Sequence, residues 1–270
     1  MQKMTGPPLA VLDWGIGGLP LFQSLCGALP GADLLYLSDS GSVPYGKQSS
    51  GALRRRLGDI AAFAAGFGTR AIAIACNALS SVLPAASSPA AGVEALSLIH
   101  SFLASPLPSG RVIGVIGGNR TIRSGIYQKA LEAAGNRVRS RPTQALSALI
   151  EAGDMDAIPG FLEKTLAALG GIETLVLACT HYPAVSPVLQ NIAPGLEIID
   201  PGSALRNSCL ERFSVPAGRR DAGGGRAYLT TGSAENSRRS AERAFGFAGL
   251  PFAHISTDLN PADMVPGGPA

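Results

Sequence analysis

Two stretches of the chain decide its fold, Ile72–Asn77 (IAIACN) and Leu175–Thr180 (LVLACT). Each is a short apolar run that ends in Ala-Cys and one small polar residue. Such a run is typical of a buried strand, and open α/β sheets bind ligands at the carboxyl ends of their strands. Because Cys76 and Cys179 both stand at such an end, we expect the two thiols to face one ligand from opposite sides.

The rest of the chain alternates short apolar strands with Ala- and Leu-rich stretches of helical period, which indicates repeated βαβ units. We predict strands at Leu9–Leu12, Asp33–Leu37, Ala71–Ala75, Val112–Ile116, Arg137–Arg139, Thr174–Ala178, Glu197–Ile199 and Arg226–Thr230. We predict helices between them, for instance at Leu53–Gly66, Ser124–Ala134 and Ile158–Ala168. This alternation predicts an α/β protein built around parallel sheets.

The chain also shows signs of an internal repeat. Cys76 and Cys179 are 103 residues apart (179 − 76 = 103). The same offset carries the predicted strand at Leu9–Leu12 onto Val112–Val115. We therefore expect two α/β domains of related topology, with the active site in the cleft between them. Segments rich in Pro and small residues near residue 100 suggest a crossing point there. We predict a first domain of residues 1–100 plus 208–270 and a second, inserted domain of residues 101–207.

Composition narrows the possible classes of function. The 270 residues are 46% apolar and 15% charged, which is enough apolar surface for a sizeable core. A net charge of +3, without basic stretches interleaved with aromatics, argues against a nucleic-acid partner. No apolar run approaches the roughly 20 residues of a membrane span. The four cysteines form no Cys-x-x-Cys pair, so we expect free thiols and a cytoplasmic location.

Asp13 follows the first strand directly and opens the Gly-rich turn Trp14–Gly18. Glycines at such a turn let the backbone come close to a ligand. The turn does not have the spacing of a dinucleotide or P-loop fingerprint. The Asp13 carboxylate therefore has two interpretations, a cap for the following helix or a group that relays protons.

The thiols can act as acid and base if their surroundings permit it. A single buried cysteine is commonly inert, but the matched setting of Cys76 and Cys179 favours chemistry. A thiolate is favoured beside a protonated histidine, and His181 stands two residues after Cys179. A Cys/Cys/His metal site is the competing interpretation, but paired close-spaced ligands and a fourth donor are missing from the sequence, so we predict no metal. We assign the remaining cysteines and histidines to packing or solvent: Cys26, Cys209, His100 and His254.

The motifs, taken in order, resemble those of the glutamate racemases in the aspartate/glutamate racemase superfamily. The likeness runs from about Leu9 to Gly246. Its segments are Asp13–Gly18, Asp39 with Val43–Gly46, Cys76-Asn77, Thr121–Tyr127, Cys179–Pro183, Asp200-Pro201 and Thr231-Gly232. The resemblance implies a cofactor-independent enzyme that interconverts L- and D-glutamate for peptidoglycan, with no pyridoxal phosphate and no metal. It also implies a homodimer.

The resemblance further implies roles for individual residues. Cys76 and Cys179 become the two catalytic acid/bases, with Asp13 assisting the first and His181 the second. Glu151 is similar to the family glutamate that orients this histidine, although a solvent-facing glutamate at a helix end is an equal alternative. The residues implied to contact substrate are Asp13, Trp14, Tyr45, Gly46, Asn77, Ala78, Thr180 and His181.

Two positions depart from the family pattern. Trp14 stands where the family has serine, and Ala78 where it has threonine, so two hydroxyl groups are lost. One hypothesis is a smaller or less polar pocket that shifts the substrate to another amino acid or leaves a ligand-binding protein. The alternative is that Trp14 points away from the pocket and water replaces both hydroxyls.

Overall fold

A computed structural model describes residues 4, 6–85, 87–213 and 223–259 of the chain. The predicted first domain therefore extends, at residues 260–270, beyond the described residues. The strands are β1 (Leu9–Asp13), β2 (Leu34–Ser38), β3 (Ala71–Ile74), β4 (Ser87–Ala90), β5 (Val93–Ser97), β6 (Val112–Gly117), β7 (Arg137–Pro142), β8 (Thr174–Ala178), β9 (Glu197–Ile199), β10 (Arg226–Thr230) and β11 (Phe252–His254).

Helices separate most of these strands, as the alternating pattern predicts. They are α1 (Leu19–Ala28), α2 (Ser50–Ala65), α3 (Asn77–Ser80), α4 (Leu98–Ala104), α5 (Asn119–Ser124), α6 (Ile126–Ala133), α7 (Gln144–Ala152), α8 (Ala157–Leu169), α9 (Ser186–Ile192), α10 (Gly202–Arg212) and α11 (Ala234–Phe245). Short 3₁₀ turns occur at Tyr45–Lys47 and Tyr182–Val185.

The strands form two sheets, as expected for two α/β domains. The larger has seven strands in the order β11-β10-β2-β1-β3-β5-β4, and the smaller has four in the order β7-β6-β8-β9. The prediction of parallel sheets holds for every pair except one, because β4 runs antiparallel to β5 at the edge of the larger sheet. An edge strand tolerates the Pro89 in β4, whose missing N–H would leave a gap in a central ladder.

Four strands of the larger sheet are repeated as the whole of the smaller sheet, which confirms the related topology. The order β2-β1-β3-β5 matches β7-β6-β8-β9. Leu9 lies opposite Leu34 in one sheet, and Val112 lies opposite Arg137 in the other, an offset of 103 for both partners (112 − 9 and 137 − 34). The β3–β5 register is repeated in β8–β9 with the same offset. The exact limits of the two domains stay a prediction.

The central strands β1, β3 and β8 are buried along their whole length. Their continuous apolar runs suit parallel strands covered by helices on both faces. Because parallel strands end on the same edge of a sheet, Asp13 at the end of β1 and Cys76 just beyond β3 lie side by side. Cys179 follows β8 in the same way on the other sheet. The fold thus brings both carboxyl edges to one cleft.

Candidate active site

The carboxyl edges of the two sheets enclose a cavity of about 450 Å³. Both halves of the molecule contribute to its wall, and both Cys76 and Cys179 lie in it. Every residue singled out for the site lies in this wall: Asp13, Trp14, Tyr45, Gly46, Cys76, Asn77, Ala78, Glu151, Cys179, Thr180 and His181. The structure therefore brings the predicted residues together around one space.

Cys76 is the residue that precedes α3, and its side chain is almost wholly buried. Burial raises the pKa of the Cys76 thiol well above its usual value, and the negative charges of Asp13 and Cys179 raise it further. The backbone N–H groups of Ala78 and Leu79 in the short helix act in the opposite direction, since they stabilise a sulfur anion. The balance keeps Cys76 protonated in the resting site.

Cys179 has a different neighbourhood, made of a histidine and a serine. Its sulfur lies 3.9 Å from Nδ1 of His181 and 3.9 Å from Oγ of Ser147. Nε2 of His181 is 2.8 Å from Oε1 of Glu151, which places Glu151 in contact with the histidine rather than in solvent alone. Burial lowers the pKa of His181, but its contacts with Cys179 and Glu151 outweigh burial and raise that pKa well above its usual value.

Asp13 connects the two halves of the site. Its Oδ2 accepts a hydrogen bond of 2.8 Å from Oγ1 of Thr180, and its Oδ1 accepts one of 2.7 Å from the backbone N–H of Trp14. Burial raises the pKa of Asp13, while the charge of His181 and the bond from Thr180 act against this rise. The direction of this shift favours the protonated form of the carboxyl group, which suits the proton-relay interpretation.

The Gly-rich turn after Asp13 allows the halves to approach this closely. A Cβ at Gly17 would lie 2.3 Å from Oγ1 of Thr180 and 2.7 Å from Nδ1 of His181. Real Cβ atoms do not come so near to other atoms, so a larger residue would force Thr180 and His181 of the other half to shift. The glycine is therefore required by the close contact of the halves.

Trp14 is one of the residues that line the cavity. Its indole Nε1 donates to the carbonyl oxygen of Ser42 at 3.2 Å, which fixes the ring. Ala78 lies in the same wall. The two residues that replace hydroxyl-bearing side chains therefore both border the space that a substrate would occupy.

Two other predicted site residues, Tyr45 and Asn77, have polar groups that form hydrogen bonds within the protein. The hydroxyl of Tyr45 donates to Oδ2 of Asp39 at 2.8 Å, and Asp39 is held in turn by the guanidinium of Arg56. Oδ1 of Asn77 accepts a hydrogen bond of 2.7 Å from the hydroxyl of Tyr127. The amide N–H₂ of Asn77 is the group left to face a ligand.

Several residues of the cavity wall are not among the site residues predicted from the sequence. They are Pro44, Lys47, Gly118, Asn119, Arg120, Thr121, Gln144, Ala145, Ser147, Ala148 and Ala178. Residues 144, 147, 148 and 151 recur at helical spacing, so α7 presents one face to the cavity. That periodicity, together with Glu151, is the signal that could have found Gln144 and Ser147.

The two cysteines and two histidines that we assigned to packing or solvent lie outside the cavity wall. Cys209 is fully buried in the core, where burial raises its pKa to about 12, and Cys26 packs against the same core. His100 contacts Oγ of Ser97, and His254 contacts the carbonyl of Gly232. Neither cysteine and neither histidine borders the cavity.

Two further observations concern metals and membranes. Within residues 4, 6–85, 87–213 and 223–259, no three His, Cys, Asp or Glu side chains are grouped closely enough to hold a metal ion. None of the helices in the described part of the chain combines the length and apolarity that a membrane crossing requires.

Comparison with known proteins identifies the family to which this two-sheet α/β chain belongs. A sequence profile of the Asp/Glu/Hydantoin racemase family matches residues 25–209, more than half of the chain. The chain belongs to this family.

Individual relatives narrow the assignment. A glutamate racemase from Stutzerimonas stutzeri is 34% identical over 235 residues, which cover 78% of this chain and 85% of that protein. The crystal structure of a glutamate racemase from Thermus thermophilus, in complex with β-chloro-D-alanine, has a TM-score of 0.78 at 26% identity and covers 96% of this chain and 100% of that one. A glutamate racemase isoform from Bacillus anthracis has a TM-score of 0.79 at 25% identity, covering 93% and 97%. Within its family the chain therefore groups with the glutamate racemases, and it is an isomerase.

Proposed function

We propose that the protein interconverts L- and D-glutamate by a two-base mechanism in which Cys76 and Cys179 exchange protons with the α-carbon, without a cofactor. The relatives named glutamate racemase support glutamate as the substrate. The amino-acid analogue held by the relative from Thermus thermophilus agrees with an amino acid in the cavity.

One observation carries the mechanism. Two thiols, each at the end of an equivalent strand in the two halves, line one cavity. Each thiol has its own titratable partner, Asp13 beside Cys76 and His181 beside Cys179. Inversion of a carbon centre needs this arrangement, because the proton leaves on one face and arrives on the other.

The pKa directions support one starting state. The raised pKa of Cys76 favours its protonated form, and the raised pKa of His181 favours a protonated imidazole that would stabilise a thiolate at Cys179. For the enantiomer whose α-hydrogen faces Cys179, the Cα–H bond breaks and an S–H bond forms at Cys179. The electron pair stays on the α-carbon and its carboxylate until the Cys76 thiol gives up its proton and a new Cα–H bond forms on the other face. The opposite enantiomer uses the same steps in reverse, after the thiols have exchanged protonation states.

The carbanion formed between these two steps carries negative charge that the site must stabilise. The amide N–H₂ of Asn77 and the charged His181 are suitable groups in the wall. Oγ1 of Thr180 already donates to Asp13, so its contribution is to hold that carboxyl group in place. Exclusion of water from the cavity would strengthen each of these interactions.

A second candidate is a racemase with altered substrate preference, or a ligand-binding relative with reduced catalysis. It is favoured by the position of Trp14 and Ala78, both in the wall of the cavity. Loss of two hydroxyl groups costs on the order of 0.5–1.5 kcal/mol each in substrate binding. Turnover of glutamate, aspartate and smaller amino acids, measured side by side, distinguishes this candidate from the first.

We further propose the setting in which the enzyme works. D-Glutamate produced by the reaction would supply peptidoglycan synthesis, and with it the cell wall and cell shape. All four cysteines are free thiols, which suits the reducing cytoplasm. We propose a homodimer, as the resemblance implies, and sedimentation of the purified protein would show whether it is one.

Solvent exchange tests the proposed function. In deuterated water, the purified protein should place deuterium at the α-carbon of both L- and D-glutamate and convert each into the other. A ligand-binding protein would give no exchange with either enantiomer. Exchange with another amino acid, but not with glutamate, would establish the second candidate instead.

A further inference from the structure

Arg120 lies in one half of the molecule and bonds to the other. It belongs to α5, which follows β6 of the smaller sheet, and its side chain reaches the segment between β2 and α2 of the larger sheet. Nε donates to the carbonyl of Tyr45 at 3.3 Å, Nη1 donates to Oγ of Ser50 at 3.4 Å, and Nη2 donates to the carbonyl of Gln48. One side chain in the wall of the cavity therefore ties the two halves together.

The hydrogen bonds of Arg120 can break and form again because of the type of acceptor that they use. A guanidinium group stays charged at any accessible pH, so its hydrogen bonds are charge-assisted. In the part of the chain that the structure describes, no carboxylate forms an ion pair with Arg120, and its acceptors are neutral oxygens. Water can replace neutral acceptors without leaving a buried carboxylate unpaired, whereas a broken buried ion pair would leave one. The contact can therefore form and break.

The segment held by Arg120 is part of the cavity wall, to which it contributes Pro44, Tyr45, Gly46 and Lys47. On its own half it is anchored by the bond from Tyr45 to Asp39. Its described hydrogen bonds to the other half all come from Arg120. Loss of Arg120 would release the segment from the opposite half and leave its own anchor intact.

We propose that Arg120 is a positioning residue, which holds residues 44–48 closed over the cavity during proton transfer and releases them for exchange of substrate and product. The inference rests on the proposed function for its catalytic meaning. Closure excludes water from the two sulfurs and fixes the backbone of Tyr45 and Gly46 beside the substrate.

Steady-state kinetics of three variants provide the first test. Arg120→Met removes the donors and the charge, Arg120→Lys keeps a cation with fewer directed donors, and Arg123→Met is the control on an exposed residue of the same helix. We expect Arg120→Met to raise KM for glutamate about tenfold, with a smaller change in kcat, as expected when a charge-assisted hydrogen bond is lost. The lysine variant should be intermediate, and the control should match the unaltered protein.

Thiol alkylation gives a second readout that does not depend on racemase activity. Iodoacetamide should label Cys76 and Cys179 several-fold faster in Arg120→Met than in Arg123→Met, with the labelled peptides identified by mass spectrometry. Labelling rates equal to those of Arg123→Met, together with an unchanged KM and an unchanged kcat, would overturn the proposal. If the methionine variant does not fold, the lysine variant decides by the same two measurements. Faster labelling in a protein that never racemises glutamate would support closure by Arg120 and refute the proposed function.

Discussion

The two thiols occupy equivalent places in the repeated fold but have different neighbours. Cys76 is almost wholly buried, precedes a short helix and faces the carboxyl group of Asp13. Cys179 is more exposed and contacts the imidazole of His181, which Glu151 holds from the other side. The repeated backbone places both thiols in the wall of one cavity, whereas the side chains that differ between the halves give each sulfur its own titratable neighbour. Substitutions at the thiols, at their neighbours and at the contacts between the halves test this difference.

The largest effect is expected from replacing either thiol. Cys76→Ser and Cys179→Ser should each lower racemisation about a thousandfold or more, because a hydroxyl is a far weaker acid/base group than a thiol. The remaining thiol should still exchange the α-proton of the one enantiomer that faces it, so the two variants should label opposite enantiomers in deuterated water. Cys26→Ser is the control and should keep normal turnover. Labelling of the same enantiomer by both variants would contradict the opposed arrangement.

The next largest effect should come from forcing the halves apart. Gly17→Ala places a methyl group against Thr180 and His181, and we expect it to lower the free energy of unfolding by about 1–3 kcal/mol and activity with it. Gly27→Ala in α1 has open space around its Cβ and should raise stability by about 0.5–1 kcal/mol. Urea denaturation measures both. Equal stability of the two variants would show that the halves do not meet at Gly17.

A smaller effect, specific to one thiol, is expected at Glu151. Contact with this carboxylate helps to raise the pKa of His181, so Glu151→Gln should lower that pKa. The raised pKa stabilises the protein at pH values below the ordinary histidine pKa of about 6.5, and this contribution is lost as pH rises through the folded-state pKa. As pH rises, Glu151→Gln should therefore lose stability and activity at a lower pH than the unaltered protein does.

Profiles of kcat/KM against pH, recorded for both enantiomers, measure this shift. We expect Glu151→Gln to reduce kcat/KM about tenfold, and more for the enantiomer that gives its proton to Cys179. Glu163→Gln, on α8 and outside the cavity wall, is the matched control. An unchanged alkaline limb in Glu151→Gln would show that the carboxylate does not act through His181.

The smallest effect is expected at the bond between the halves. Thr180→Val removes the donor to Oδ2 of Asp13, which should cost about 1 kcal/mol in stability and raise the pKa of Asp13 further. Thr180→Ser keeps the hydroxyl and should behave like the unaltered protein. Thermal unfolding of the two variants measures the difference, and identical midpoints would mean that water replaces the threonine without loss.

The sequence predicts this fold well wherever one strand carries its own apolar signal. All eight predicted strands are present, and most of them are apolar or β-branched runs bounded by turn residues, whereas Arg137–Arg139 has Val138 as its one apolar residue. Three observed strands, β4, β5 and β11, go beyond this set. β4 reads as a loop because its residues are Ser-Ser-Pro-Ala, and β11 is a three-residue edge strand that depends on its pairing with β10. Edge strands are defined by their partner more than by their own residues.

The residues of the candidate site also differ in how well the sequence predicts them. Residues that end a strand, such as Asp13, Cys76 and Cys179, carry a local signal, since the apolar run identifies the strand and the next polar residue its carboxyl end. Ser147 shows only the helical spacing of α7, and Arg120 has no local signal, because its bonds to Tyr45, Gln48 and Ser50 exist only once the two halves have packed. The direction of the Trp14 ring also depends on a tertiary contact, its bond to the carbonyl of Ser42.

The position of Trp14 allows ligand binding to be followed by the intrinsic fluorescence of the protein. Trp14 is the single tryptophan of the chain, so the indole emission of the whole molecule arises from the wall of one cavity. Any amino acid that enters beside the ring, or any movement that breaks its N–H bond to Ser42, changes the surroundings of the only such fluorophore. Binding of an amino acid, and the proposed opening of residues 44–48, can therefore be tested by ultraviolet fluorescence alone, without a dye or a coupled assay.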